Sequence, residues 1–190
     1  MAAAAGVQPG DWFVVDPGSD LFDWVEAAER MAEHLTHPDV HQREGEKWGH
    51  AGVATRWVGA VLLCAEAEPG GAVERPWRWE GRPHMWSTRT GLSVPAMGPA
   101  AQRYTQPGPW GPHGVPYSFL DYAVIGGHAM GVETDEVTQR LADWHHMICS
   151  QLTDQAAQDC GVHLFSDGRP PGLVTPLDLG LLLEAHGVRP

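Results

Sequence analysis

Lysine is almost missing from this chain: there is one, Lys47, in 190 residues. Arginine does not make up the difference. Lys and Arg together number 12 against 24 Asp and Glu, a formal net charge of −12. A chain of that sign repels phosphate backbones and anionic membrane faces, which argues against a nucleic-acid partner. Long apolar runs are also missing. None approaches the roughly 18 residues of a spanning helix, and the longest candidate, Val58 to Ala65, is strand-sized, so no integral membrane association is expected. Met1 to Gly6 is small and apolar but carries no basic leading region, so a signal peptide is not expected and the chain is expected to be cytoplasmic as synthesised. Cysteine is scarce: Cys64, Cys149 and Cys160 cannot all pair within the chain, and no CxxC spacing marks a zinc site. Reduced thiols are expected, one of them a candidate for reactivity.

What is present suits one domain over residues 1–190 with a sizeable core, since hydrophobic residues make up 43% and charged residues 19%. Gly10-Asp11 before Trp12-Phe13-Val14-Val15 reads as a turn and a short buried strand. Ser19 or Asp20 can cap a helix from about Leu21 to Leu35, with Leu21, Trp24, Ala28, Met31 and Leu35 on one face. Residues 36–49 read as a polar loop. His50 to Thr55, Val58 to Ala67 and, after the Gly70-Gly71 turn, Ala72 to Arg75 read as three strands of an antiparallel meander. From Pro76 to Pro116 the chain is dense in Pro, Gly and Trp (Trp77, Trp79, Trp86, Trp110). A long irregular stretch of this kind is usually a functional lid or an insertion, set at about 77–116; the plainer alternative is that its tryptophans plug a thin core. Tyr117 to Ile125, residues 134–146 and Cys149 to Cys160 read as helices, the last stopped by Gly161. Thr175-Pro176-Leu177-Asp178 combines a cap, a proline at the first helical position and an acid in the first turn, and starts a final helix to about His186.

Cys149 opens its helix. Free N–H groups and the positive end of the helix dipole favour a thiolate there, and an imidazole brought close would favour it further and shuttle protons. His50 opens a short apolar strand far upstream and can be that imidazole. The ordinary alternative for Cys149 is a small buried apolar residue, which Cys64 and Cys160 fit better from their strand and helix-face positions. A carboxylate on the strand beside His50 can fix its tautomer; Glu66 and Glu68 compete for that role on chemistry alone. A metal alternative rests on His145, His146 and Cys149, but no second cluster completes it, and neither a metal nor another cofactor is expected.

These pieces occur in an order that resembles the permuted branch of the NlpC/P60 superfamily of papain-like cysteine hydrolases. Gly10-Asp11-Trp12-Phe13-Val14 is similar to the Gly-Asp strand that opens those domains, and Trp48-Gly49-His50-Ala51-Gly52-Val53 to their His-x-Gly-hydrophobic strand. Ala65-Glu66-Ala67 with Gly70-Gly71 resembles the Glu-Ala strand end, and Tyr117-Ser118-Phe119-Leu120-Asp121-Tyr122 the Tyr-rich helix start. Ile148-Cys149-Ser150-Gln151-Leu152 resembles the nucleophile segment and Val174-Thr175-Pro176-Leu177-Asp178-Leu179 the closing Pro-x-Asp-Leu helix. The resemblance implies an α+β, circularly permuted papain-like fold, a small antiparallel sheet packed against helices. It implies Cys149 as nucleophile, His50 as base, Glu66 as orienting group, and Tyr117 and Ser150 in the oxyanion or substrate-binding region. It departs from the family in its long Trp-rich insertion. The Asn-Cys-Glu-His type nucleophile segment of the lecithin:retinol acyltransferase relatives is absent, which lowers a lipid acyltransferase assignment.

The expected activity is a thiol amidase or peptidase acting through a thioester, on peptide or isopeptide bonds such as those of peptidoglycan stem peptides. That substrate requires delivery by another route, for example lysis or a phage particle. Hydrolysis or transfer of a lipid or small acyl group in a tryptophan-lined groove is the second expectation, and a non-catalytic binding or structural domain of the same fold is the third.

Overall fold

The computed structural model describes residues 6–18, 48–118, 121, 125, 131 and 146–190. The helices expected at 21–35 and 134–146 lie outside the described residues, as do most of the 36–49 loop and most of the stretch expected as a helix from Tyr117 to Ile125. Within the described residues the fold is α+β. Five strands, β1 (Trp12–Val15), β2 (His50–Val58), β3 (Val61–Glu68), β4 (Gly71–Pro76) and β5 (His84–Trp86), form one antiparallel sheet in the order β4-β3-β2-β1-β5. Three helices follow: α1 (Met97–Tyr104), α2 (Cys149–Gln158) and α3 (Pro176–Ala185), with a 3-10 turn at Pro171–Leu173. No helix among the described residues is long and apolar enough to cross a membrane.

The expected meander is present as β2-β3-β4. Its first turn falls at Gly59-Ala60, because the strand pairing runs out to Val58↔Val61. The hairpin tip leaves Trp57, Val58 and Val61 exposed. Side-chain alternation sorts the sheet into two faces. Trp12, Val14, Ala51, Val53, Ala65 and Ala67 belong to a core that includes Met97, Ala101, Leu152 and Ala156 of the helices. Phe13, Val15, Ala54 and Cys64 alternate with them and pack with Trp79 and Trp86. Small residues on the helix side allow close approach. A methyl group on Gly180 would sit 2.1 Å from the Trp48 ring, so α3 can rest on that indole only with glycine there.

The 77–116 stretch is not irregular throughout. It contributes β5, which pairs with β1 (Phe13↔Trp86, Val14↔Met85, Val15↔His84), and it contributes α1, which packs on β2. The sequence signal for β5 is weak because three residues between a proline and a Ser/Thr-rich turn show no periodicity. Asp11 ties the stretch down: its Oδ1 accepts from the Ser93 hydroxyl at 2.7 Å, and its Oδ2 from the Thr88 hydroxyl at 3.0 Å and the Gln8 N–H at 2.8 Å. Trp77 and Trp86 pack edge-to-face or tilted on Phe13, with centroids 4.7 and 5.0 Å away. Trp86 is buried and Trp77 partly buried against the same cluster.

The last helix starts as its sequence dictates. Thr175 Oγ1 accepts from the Asp178 N–H at 3.1 Å, and Asp178 Oδ2 accepts from the Thr175 N–H at 2.8 Å, a reciprocal cap behind Pro176. Tyr117 departs from expectation. It is not helical; it forms a parallel bridge with Met147, beside the segment that leads into Cys149.

Candidate active site

His50 is the first residue of β2 and Glu66 lies near the end of β3. The pairings Val53↔Ala65 and Ala54↔Cys64 put Ala54, Gly52 and His50 on the same face as Cys64 and Glu66. Gly52 stands between the two polar side chains. A methyl group there would lie 2.8 Å from both the Phe13 ring and the Ala65 carbonyl oxygen. His50 Nε2 and Glu66 Oε2 are 2.7 Å apart. Both are buried, at 3% and 0% exposure.

This geometry separates the two competing glutamates. Glu68 is held by Arg75 at 2.6 Å and by Arg78, and Glu66 alone engages His50. Among the described residues His50, Glu66 and Glu68 place ligand atoms within 4.8 Å of one another. An ion at that point would compete with a guanidinium group for Glu68, since Arg75 engages one of its oxygens and Arg78 the other. Of the metal alternative, His145 lies outside the described residues.

Cys149 is the first residue of α2. Its N-cap, Ile148, has no side-chain acceptor to offer the first-turn N–H groups. The Ile148 N–H donates to Gln151 Oε1 at 2.9 Å, which holds the chain at the helix entrance. With Nε2 committed to Glu66, Nδ1 is the nitrogen left to serve a thiol. The Cys149 sulfur is near enough to act on the imidazole through charge and through a side-chain hydrogen bond. Burial alone would lower the His50 pKa; the charge and hydrogen bond of Cys149, then the hydrogen bond and charge of Glu66, outweigh it and push it up to about 10. Both neighbours favour the protonated imidazole.

The other thiols differ. Burial, then the charges of Glu66 and Glu74, push the Cys64 thiol well above its ordinary range. Cys160 is also raised, by burial and by Asp159. The structure brings together Cys149, His50 and Glu66. It sets the Ser150 side chain apart, because that hydroxyl is buried and donates to the Val174 carbonyl at 2.7 Å. The Ser150 backbone N–H lies in the first turn of α2, next to that of Cys149.

Trp79 is the site residue that sequence reasoning did not single out. Its ring stands 5.2 Å from the His50 ring, and its Nε1–H donates to Glu66 Oε2 at 3.1 Å, the same oxygen that faces His50. Arg78 covers its other side, 4.5 Å from the centroid. The signal was the Trp-x-Trp pair at 77 and 79, but nothing in the spacing tells the packing indole from the site indole. Trp79 is a positioning residue: it fixes the carboxylate that fixes the imidazole. Trp79→Phe keeps the ring and removes the donor. A hydrogen bond to a charged group is worth about 2 kcal/mol, so an approximately tenfold or greater loss in kcat with little change in KM is expected. An unchanged kcat would show that the indole N–H positions nothing.

No known family model matches this chain, and no curated protein matches it significantly.

Proposed function

We propose that the protein is a cysteine amidase or peptidase of permuted papain-like fold, with Cys149 as nucleophile. One observation carries this: His50 is held at 2.7 Å by a buried carboxylate on one side and is raised by a helix-opening cysteine on the other. Nucleophile, base and orienter in contact are what acyl transfer needs.

The steps balance as follows. The Cys149 thiolate attacks the amide carbonyl carbon, forming a C–S bond, and the oxyanion is met by first-turn N–H groups of α2. His50 gives its proton to the leaving nitrogen as the C–N bond breaks. Water then attacks the thioester; His50 takes one of its protons, the C–S bond breaks, and the acid leaves with Cys149 restored. Cys149 is fully covered, so acylation requires a local opening, and burial excludes water from the ion pair until then. The preferred substrate class is a peptide or isopeptide bond, as in peptidoglycan stem peptides.

Alkylation at pH 6 tests the reactivity. Cys160 is the most exposed of the three thiols and is partly buried, so access alone would label it first. Preferential labelling of Cys149 by iodoacetamide, lost in His50→Ala, is the expected result. Labelling of Cys160 ahead of Cys149 would overturn the assignment and favour a non-catalytic domain.

A further inference from the structure

The β2–β3 hairpin ends in an apolar tip that the core leaves outside. Trp57, Val58 and Val61 are 41%, 54% and 46% exposed, and they are the exposed large hydrophobic side chains among the described residues. Gly59 and Ala60 between them are exposed too. The run from Trp57 to Val61 carries no charge, and Arg56 at its base is bonded to Glu74 at 2.6 Å.

The tip is apolar on both faces. Val58 and Val61 are opposite partners and share a face, while Trp57, paired with the buried Leu62, lies on the other. The Trp57 indole N–H turns back to the Val7 carbonyl at 3.2 Å, so the polar edge of that ring is already satisfied by the protein. A protein partner covers one face of a hairpin; a fluid apolar phase covers both. The backbone suits such a phase as well. Pairing continues out to Val58↔Val61, and Gly59 and Ala60 alone make the turn, with Gly59 at φ +59°. Few unpaired N–H and C=O groups would leave water on entry.

Size and charge narrow the occupant further. A specific protein interface buries roughly 800 Å² and about 20–30 residues on each side, far more than three partly exposed side chains supply. A small apolar insertion is enough for weak, reversible attachment to a bilayer. The net charge of −12 turns an anionic surface away, so the complementary surface is one without net charge.

We infer that the hairpin tip, Trp57 to Val61, inserts into the headgroup region of a zwitterionic lipid surface. His50 opens the same strand that ends at Val58, roughly 26 Å away at about 3.3 Å per residue, so the tip attaches without bringing lipid to the triad. The inference does not depend on Cys149 chemistry, and its failure would leave the thiol labelling result unchanged.

Co-sedimentation of the full chain with sucrose-loaded phosphatidylcholine vesicles tests it. Partitioning that rises with lipid in the millimolar range is expected. Trp57→Ala, with its fold checked by circular dichroism, is expected to lower the partition coefficient about tenfold or more. Val58→Ser/Val61→Ser leaves the Trp57 bond to Val7 in place, is expected to lower it severalfold, and stands in should Trp57→Ala disturb the fold. Replacing part of the phosphatidylcholine by phosphatidylglycerol is expected to weaken binding at low salt, with recovery as salt screens the charge. No sedimentation with phosphatidylcholine, partitioning indifferent to both variants, or tighter binding to the anionic vesicles would overturn the inference. So would self-association of the native chain in the ultracentrifuge that Val58→Ser/Val61→Ser abolishes, which would give the tip to a second copy.

Discussion

Cys149→Ala is expected to lower kcat on the order of 10⁴- to 10⁶-fold while leaving a folded protein, the scale seen when the nucleophile of a coupled triad is removed. The loss is large because the remaining groups have nothing to activate. His50 without a thiol can only promote direct attack by water, and first-turn N–H groups stabilise an oxyanion that rarely forms. Circular dichroism checks that the variant remains folded. His50→Ala should fall in the same range, and the double variant Cys149→Ala/His50→Ala should be no worse than either alone, because the two act as a unit. The measurement is release of new amine termini from digested cell-wall sacculi. Turnover by Cys149→Ala within tenfold of the native chain would end the proposal that this thiol is the nucleophile.

Glu66→Ala is expected to reduce both stability and rate, and pH separates its two effects. The pair with His50 is buried on both sides, and removing one partner of a buried pair typically costs about 3–5 kcal/mol. For a chain of this size that lowers Tm by roughly 10 °C. The sign with pH follows from the direction of the shift. The folded His50 pKa lies above its ordinary value, at about 10. Its contribution to stability is therefore full below the unfolded value of about 6.5 and is lost as pH rises through about 10. The Tm difference between the native chain and Glu66→Ala should be wide at pH 6 and narrow at pH 9.5. In activity, the proton on His50 is needed for the leaving nitrogen. The alkaline limb of kcat/KM should sit near pH 10 in the native chain and move down in Glu66→Ala and in Glu66→Gln, which keeps shape without charge. A Tm difference that does not change with pH, with an unmoved alkaline limb, would mean that Glu66 only fills space.

Sequence and structure agree best where chemistry is local. The Thr175–Asp178 cap, the turn before β1 and the hairpin of β2 and β3 each follow from neighbours in the chain, and each is present. Cys149 at a helix start is likewise legible, because Gly161 and the Leu152–Ala156 spacing define the helix that follows it. The choice of Glu66 over Glu68 is of another kind. On chemistry alone the two are equal, and only the side-chain contacts across the sheet, Glu66 to His50 and Glu68 to Arg75 and Arg78, distinguish them. β5 and Trp79 were hidden for the same reason. A three-residue strand has no period to read, and an indole in a Trp-rich stretch declares neither its partner nor its face. Pairings across the sheet are decided by the whole fold, which short windows of sequence do not encode.

The two outer strands of the sheet carry one more consequence, for how copies of this chain meet one another. An open sheet presents rows of unpaired N–H and C=O groups, and such rows recruit other chains into aggregates. Here β4 ends on Pro76 and has its Ala72 N–H engaged by the Val115 carbonyl at 2.7 Å. On the opposite side β5 is three residues long and follows Pro83. The proline and the engaged Ala72 N–H limit pairing along β4, and shortness limits it along β5. The prolines and the short strand that obscured this region in the sequence are the features that guard the sheet against strand-by-strand self-assembly.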